Sequence, residues 1–165
     1  LGVFYTGLPL VALVWLRSDL LGLVAVVYVL VVVVATDVAA YATGRLVGGP
    51  KLWPRVSPGK TWSGLIGGVL AAAVAAVVLS RLTHTGSARW MGSLGIVLAL
   101  VAQGGDLAES AFKRSFGLKD ASSLIPGHGG FLDRMDGLVT AAVLAALVGL
   151  FIDAHAPARA LLYGE

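Results

Sequence analysis

The fold is decided by residues 20–35, LLGLVAVVYVLVVVVA, a stretch without a single charged side chain. So many valines would favour a strand in a soluble protein. An uncharged run of this length is nevertheless typical of a transmembrane helix, which needs about 20 apolar residues to cross the bilayer. Four other apolar runs lie at residues 3–16, 62–80, 90–102 and 138–152. Because several of them are shorter than a full crossing, we expect their helices to continue into the polar segments beside them.

The composition excludes a soluble protein. Hydrophobic residues make up 58% of the chain and charged residues 13%, with a mean hydropathy of +0.89, whereas about a quarter of the residues in soluble domains are charged. Such a chain is neither a soluble enzyme nor a disordered segment. Its bases are scattered and its net charge is only +3, which indicates no nucleic-acid partner. The absence of cysteine excludes disulfides, thiolate metal sites and cysteine nucleophiles.

These features predict an all-α fold, a polytopic transmembrane helical bundle in the lipid bilayer. We expect one catalytic domain over residues 1–165, with five membrane helices. Their approximate positions are residues 3–16, 20–44, 62–80, 90–105 and 137–152. Gly64 and Gly68 stand four residues apart and predict a close helix contact. The chain starts inside an apolar run, at Leu1, without a signal-peptide pattern, so we expect a fragment of a longer protein.

Two polar segments separate the apolar runs and predict the topology. The first spans residues 37–61 and the second residues 106–136. Each contains four of the twelve bases, and the other four fall on the opposite side of the predicted bundle. Since cytoplasmic loops are enriched in Lys and Arg, both polar segments are expected to face the cytoplasm.

The second polar segment combines carboxylates and bases in a way that predicts a functional site. It contains five acids (Asp106, Glu109, Asp120, Asp133 and Asp136) and four bases (Lys113, Arg114, Lys119 and Arg134). Placing charged side chains near a bilayer costs free energy, so a cluster of acids and bases there indicates a functional site. The alternative is that these side chains form structural ion pairs with one another. Carboxylates without cysteine suit Mg²⁺ rather than zinc, and the bases suit phosphate. Carboxylates that bind a metal ion, together with bases that bind phosphate, are typical of enzymes of phosphoryl or nucleotidyl transfer.

A glycine-rich turn at residues 126–130, PGHGG, lies inside this segment. Its glycines let the backbone approach a ligand closely and point N–H groups at an anion. His128, between them, has either a structural or a functional role. On the preceding helix, Asp106, Glu109 and Lys113 follow at i, i+3 and i+7 and share one face.

The first polar segment contributes a second set of polar side chains. Asp37, Tyr41 and Arg45 share a helix face at i, i+4 and i+8. Gly-Lys-Thr at residues 59–61 is not a P-loop, because position 54 is proline and no strand precedes it. Lys60, with the hydroxyls of Ser57 and Thr61, is expected at the N-terminus of the third helix, where phosphate is favoured. Ser57 could equally be a plain N-cap followed by proline.

Residues 110–136 resemble the signature of the phosphatidate cytidylyltransferases, or CDP-diacylglycerol synthases. That signature runs Ser-x-x-Lys-Arg, then Lys-Asp, Pro-Gly-His-Gly-Gly and Asp-Arg-x-Asp, and all its elements are present here in order. The upstream pairs Thr36-Asp37, Ala40-Tyr41, Gly44-Arg45 and Lys51-Leu52 are also similar, as is the stretch Ser57-Pro58-x-Lys60-Thr61. One departure is Ser63, where many members carry Glu.

The resemblance implies the C-terminal part of a multi-pass enzyme of the inner (cytoplasmic) membrane, commonly a homodimer. It implies conversion of CTP and phosphatidate to CDP-diacylglycerol and pyrophosphate, with Mg²⁺ and a monovalent cation such as K⁺. Asp106 and Asp133 correspond to metal ligands and are expected to converge on one cavity bordered by Lys113 or Arg134. The residues expected in catalysis are Lys113, Arg114, Lys119, Asp120, His128, Arg134 and Asp136. The residues expected to bind substrate are Asp37, Tyr41, Arg45, Ser57, Lys60, Thr61, Ser110, Gly127, Gly129 and Gly130.

Two other classes of function are compatible with the residues. One is a CTP-dependent lipid kinase, in which Asp136 or His128 would act as the base for an alcohol acceptor. The other is a non-catalytic membrane protein or transporter subunit that uses the charged cluster as an ion path.

Overall fold

The computed structural model describes residues 2–115 and 136–165, with side chains described from residue 7 onward, and most of these residues are helical. The elements are α1 (Gly2–Arg17), α2 (Gly22–Leu46), β1 (Lys51–Trp53), β2 (Ser57–Thr61), α3 (Trp62–Thr83), α4 (Ala88–Ser115), α5 (Asp136–Ile152) and α6 (Pro157–Tyr163). The predicted all-α class is confirmed, with one small antiparallel hairpin as the exception.

Three helices, α2, α3 and α4, are long and apolar enough to cross a membrane on their own. Helices α5 and α6 meet this criterion only together, and the chain bends by 96° between them. Helix α1 is a shorter apolar helix. By length and composition, the described residues therefore contain three or four membrane crossings, while the five apolar runs coincide with α1 to α5.

Two differences from the predicted elements affect the site. Helix α4 continues to Ser115, well past the predicted end near residue 105, so Asp106, Glu109 and Lys113 all lie on a regular helix. Residues 51–61 form a two-stranded hairpin in which Lys51 pairs with Thr61 and Trp53 with Ser57. Gly48 and Gly49 precede this hairpin with positive φ values of 66° and 101°, which glycine adopts without steric cost.

The connections alternate between two ends of the helices. One end, which we call the site end, contains the hairpin between α2 and α3, the end of α4 and the start of α5. The opposite end contains the links from α1 to α2, from α3 to α4 and from α5 to α6. The described parts of both polar segments therefore lie at the same end, as the sequence predicts.

Close packing of α2 against α3 depends on two glycines. Gly64 and Gly68 are buried on α3. A Cβ atom would lie 2.8 Å from the Ala40 carbonyl oxygen at Gly64 and 2.9 Å from the Thr36 carbonyl oxygen at Gly68. Both carbonyls belong to α2, so only glycine lets the backbones approach this closely, and the predicted small-residue contact is confirmed.

The opposite end is held by polar contacts with α6. The Asp19 carboxylate, between α1 and α2, accepts hydrogen bonds from the backbone N–H groups of Ala158 (2.9 Å) and Arg159 (3.1 Å). Asp19 thus satisfies N–H groups in the first turn of a helix distant in sequence. The Trp90 indole N–H donates to the Leu161 carbonyl at 2.9 Å, which fixes α6 to α4.

Candidate active site

A cavity of about 610 Å³ opens at the site end, between α2, the hairpin, α3 and α4. Its described lining combines three bases with two carboxylates, a phenol, a hydroxyl and an amide. These polar residues are Asp37, Tyr41, Arg45, Lys51, Lys60, Thr61, Gln103 and Asp106. Side chains from both polar segments therefore meet in one cavity.

Helix α2 forms one wall of the cavity, with the helix face that the sequence spacing predicts. Asp37, Tyr41 and Arg45 all line the cavity. The Arg45 guanidinium donates a hydrogen bond to the Tyr41 hydroxyl at 2.7 Å and lies 6.0 Å from the centroid of its ring. Tyr41 therefore orients the Arg45 guanidinium toward the cavity, and the Arg45 side chain stays exposed to solvent.

The hairpin and the start of α3 correct one sequence interpretation. Ser57 is not the N-cap of the third helix, because residues 57–61 are extended and pair with β1. Thr61 is the N-cap instead: its backbone is extended and its hydroxyl accepts a hydrogen bond from the Gly64 N–H at 3.1 Å. Lys60 immediately precedes this cap and lines the cavity, whereas Ser57 is not among the residues that line it.

Ser63, at the position where many members of the resembled family carry Glu, has a structural contact here. Its hydroxyl donates to the Gly48 carbonyl at 2.5 Å and lies 3.0 Å from the Thr61 hydroxyl. Ser63 therefore ties the turn after α2 to the start of α3, next to Lys60.

An ion pair crosses the cavity wall from the hairpin to α4. The Lys60 ammonium lies 2.6 Å from the Asp106 carboxylate, and the side chains are 22% and 40% exposed. The same ammonium donates to the Gln103 backbone carbonyl at 3.4 Å. The other Asp106 oxygen lies 3.5 Å from the Ser110 hydroxyl, one turn further along α4. The sequence predicted roles for Lys60 and Asp106 separately but not their contact.

A second charged cluster joins α4 to α5 beside this cavity. The Lys113 ammonium lies 3.3 Å from Glu109 and 4.0 Å from Asp136. Asp136 is buried, interacts with Glu109, and has one oxygen without a hydrogen-bond partner among the described residues. Lys113 therefore belongs to this cluster and is not among the described residues that line the cavity.

Several predicted site residues lie outside the described residues. They are Lys119, Asp120, Gly127, His128, Gly129, Gly130, Asp133 and Arg134. The proximity of Asp106 to Asp133, and the pairing of Asp136 with Arg134, therefore stay predictions. Arg114 is described and exposed in the last turn of α4.

Two lining residues were not assigned to the site from the sequence. Gln103 is buried, and its amide Nε2 donates to the Leu65 carbonyl at 3.3 Å. It precedes Asp106 by three residues, so extending the helix face of Asp106 backward would have found it. Lys51 belongs to the family pattern but is not among the residues that the sequence assigns to the site. Its pairing with Thr61 across the hairpin places it in the cavity, and that pairing depended on recognising the strands.

The donor set fits a hard cation bound together with a phosphorylated ligand. Asp37 and Asp106 line the same cavity and interact electrostatically with each other and with Lys60. Within residues 2–115 and 136–165, no group of three or more His, Asp or Glu side chains is arranged to hold a metal ion. Mg²⁺ characteristically binds through one or two carboxylates, with water and substrate phosphates completing its shell.

The fold and the cavity define a helical membrane protein with a cationic, carboxylate-bearing cavity at one end of its helices. The chain belongs to the Cytidylyltransferase family, whose sequence profile matches residues 1–152. It is similar to proteins named phosphatidate cytidylyltransferase. The one from Brucella suis biovar 1 is 48% identical over 158 residues, 94% of this chain and 58% of the relative.

Two further relatives carry the same name. The protein of Staphylococcus haemolyticus is 41% identical over 140 residues, which are 84% of this chain and 53% of the relative. That of Haemophilus influenzae is 48% identical over 125 residues, 73% of this chain and 43% of the relative. The chain thus spans roughly half the length of the relatives it matches.

Proposed function

We propose that this chain is part of a membrane nucleotidyltransferase that converts CTP and phosphatidate to CDP-diacylglycerol and pyrophosphate. The observation that carries the proposal is the convergence of Arg45, Lys51 and Lys60 with Asp37 and Asp106 in one cavity at the end of membrane helices. The names of the relatives support the same reaction.

The chemistry needs charge neutralisation more than a strong base. An oxygen of the phosphatidate phosphate attacks the α-phosphorus of CTP, and the bond to the bridging oxygen of the β-phosphate breaks to release pyrophosphate. The second pKa of a phosphomonoester is about 6, so the attacking group is already largely ionised at neutral pH. The obstacle is the approach of two anions.

The described residues fit that task. Lys51, Lys60 and Arg45 would bind phosphate oxygens and offset their charge where it develops. Asp37 and Asp106 would hold Mg²⁺, which when bound supplies further neutralisation of the phosphates. The predicted ligand Asp133 and an additional K⁺ belong to the proposal through the family resemblance.

The setting of the enzyme is part of the proposal. We propose a homodimer in the inner membrane, as the family resemblance implies, with the site end facing the cytoplasm. The eight-to-four bias of bases supports this orientation. Because this chain has no cysteine, single cysteines at Val47 and Leu20, exposed at opposite ends, report its orientation. A membrane-impermeant thiol reagent added to intact cells should label Leu20→Cys and spare Val47→Cys. The reverse pattern would contradict the orientation.

The reaction is tested with the full-length protein in detergent micelles containing phosphatidate. CTP and Mg²⁺ should yield CDP-diacylglycerol and pyrophosphate in equal amounts. Lys60→Met should lose most of this activity, whereas Arg81→Met, a matched loss of a base at the opposite end of α3, should retain it. Release of CDP would indicate the lipid kinase, and nucleotide binding without turnover would indicate a non-catalytic protein.

A further inference from the structure

The tip of the hairpin and the start of α3 carry side chains that the proposed function does not use. The Val56 N–H donates to the Trp53 carbonyl at 3.1 Å and closes a tight turn with Pro54 in its second position. Arg55 is exposed at this turn, and Trp53 and Trp62 are 52% and 49% exposed. None of these three side chains lines the cavity. Aromatic and arginine side chains are enriched at interaction surfaces.

The position of the hairpin limits what this surface can contact. The hairpin joins α2 to α3, and each of these helices is long and apolar enough to cross a membrane. The 22 residues of α3 extend about 33 Å, close to the hydrocarbon thickness of about 30 Å, so Trp62, its first residue, comes at the border of the hydrocarbon. The three residues of β1 reach at most about 10 Å further. The hairpin therefore lies at or next to the level of the lipid headgroups.

The two exposed tryptophans fit that level. Trp is enriched where hydrocarbon meets water, because its ring is apolar and its N–H group needs a polar partner. Within residues 2–115 and 136–165, the indole N–H groups of Trp53 and Trp62 donate to no protein acceptor. The indole of Trp90, at the opposite end, donates to Leu161 instead. The N–H groups of Trp53 and Trp62 are thus available to lipid headgroups.

The charge of the hairpin fits anionic lipids. Residues 38–61 contain four bases and no acid. Arg45 and Lys60 each contact another side chain of the cavity. The Arg55 side chain, by contrast, has no ion-pair or hydrogen-bond partner in the described part of the chain. A guanidinium at the level of the headgroups attracts lipid phosphates and can donate two parallel hydrogen bonds to one of them.

We infer that the hairpin tip, with the adjoining Trp62, is a binding surface for the headgroups of anionic phospholipids. Arg55 binds the lipid phosphate, and Trp53 and Trp62 hold the tip at the membrane interface. Lys51 and Trp53 are two residues apart on β1 and share a face of the strand, and Lys51 lines the cavity. Anionic lipids bound at the tip therefore lie beside the cavity. This binding goes beyond the proposed reaction, since it needs neither CTP nor turnover.

The test measures which lipids surround the hairpin in a membrane. The full-length protein is reconstituted into phosphatidylcholine vesicles that contain brominated phosphatidylglycerol or, at the same fraction, brominated phosphatidylcholine. Nearby bromine quenches tryptophan fluorescence, and subtracting the signal of a Trp53→Phe/Trp62→Phe variant isolates the contribution of these two side chains. Phosphatidylglycerol is not a substrate of the proposed reaction, so the outcome does not depend on that reaction.

Brominated phosphatidylglycerol should quench the isolated signal more strongly than brominated phosphatidylcholine does. Arg55→Gln should lower the relative binding constant of phosphatidylglycerol over phosphatidylcholine by about fivefold, the contribution of one base near an anionic surface. Arg55→Lys should keep most of the preference, and added salt should weaken it. The matched control is Arg81→Gln, which removes an exposed base from the last turn of α3, at the opposite end, and should leave the preference unchanged.

Three results would overturn the inference. Equal quenching by the two lipids in the wild type would mean that the hairpin does not prefer anionic headgroups. Little quenching by either lipid would mean that protein, such as a second copy of the chain, covers the tip. A full preference in Arg55→Gln would assign the binding to other bases.

Two further measurements accompany the test. The thermal unfolding midpoint verifies that each variant is folded, and Arg55→Ala repeats the test if Arg55→Gln is not. Turnover of CTP and phosphatidate by the wild type is measured separately. Its absence would defeat the proposed reaction and leave a measured lipid preference of the hairpin standing, whereas turnover without that preference would defeat only this inference.

Discussion

Replacing Gly68 with alanine would place a methyl group where α3 packs against both α2 and α4. The added Cβ would lie 2.9 Å from the Gln103 amide nitrogen, 2.9 Å from the Thr36 carbonyl oxygen and 3.1 Å from the Ala40 Cβ. The Thr36 oxygen is helix backbone and cannot turn aside. The methyl group must therefore push α3 away from α2 and displace the Gln103 amide.

The cost follows from overpacking of a tight helix interface, which is typically about 1–3 kcal/mol. For a chain of this size, each kcal/mol lowers the unfolding midpoint by roughly 2–4 °C. A functional effect should accompany the loss of stability, because the Gln103 backbone carbonyl is an acceptor for Lys60. We expect Gly68→Ala to lower the midpoint by several degrees and, in the proposed reaction, to raise the KM for CTP.

The assay is thermal unfolding in mild detergent, followed by circular dichroism, with Gly104→Ala as the control. Gly104 is a glycine in the interior of α4, and a Cβ there meets no atom within 4 Å. Alanine should stabilise the helix at that position, by up to about 1 kcal/mol. An unchanged midpoint in Gly68→Ala, or equal shifts in both variants, would refute the view that α2 and α3 are held at this distance by glycine.

Three other substitutions test separate contacts. Tyr28→Phe removes a buried hydrogen bond of 2.7 Å to the Met91 carbonyl and should cost about 0.5–1.5 kcal/mol in denaturant unfolding; no change would mean that the bond adds nothing to stability. Asp19→Ala removes both bonds to the first turn of α6 and should cost about 0.5–2 kcal/mol, with faster amide exchange confined to α6; unchanged exchange would contradict the cap. Lys113→Met leaves the two neighbouring carboxyls, Glu109 and Asp136, without their shared cation and should destabilise on the order of 3 kcal/mol. Adding Asp136→Asn should restore part of that loss, and simple additivity of the two changes would argue against the contact.

The membrane helices could be predicted because they depend on properties that a short window of sequence contains. Residues 20–35 have no charge. Because backbone N–H and C=O groups in lipid must be hydrogen-bonded within the protein, a single run of this kind forms a helix. The same applies to the cavity face of α2, where the spacing of Asp37, Tyr41 and Arg45 follows the helical period, and to the contact at Gly64 and Gly68. In each case the determinant is local.

The hairpin, α6 and the Lys60–Asp106 pair depend on contacts between distant residues. Pro58 and Gly59 are typical of a loop, and β2 exists because β1 pairs with it. In the short helix α6, the first N–H groups donate hydrogen bonds to Asp19, which lies near the opposite end of the chain. Lys60 and Asp106 meet only because α3 and α4 are packed together, so no local pattern indicates their distance.

Helix α4 is longer than the hydrocarbon core of a bilayer is thick. Its 28 residues extend about 42 Å at 1.5 Å per residue, against a hydrocarbon thickness of about 30 Å. Measured from Ala88, Asp106 lies about 27 Å along the helix and Lys113 about 38 Å, so Asp106 comes at the edge of a hydrocarbon core of this thickness and Lys113 beyond it. The height of the cavity relative to the lipid phosphates is therefore set by hydrophobic matching between this helix and the bilayer. A thicker membrane would draw the carboxylate of Asp106 into the hydrocarbon and a thinner one would bring it out toward the lipid phosphates, which makes lipid composition a determinant of how well a membrane-bound phosphate reaches the site.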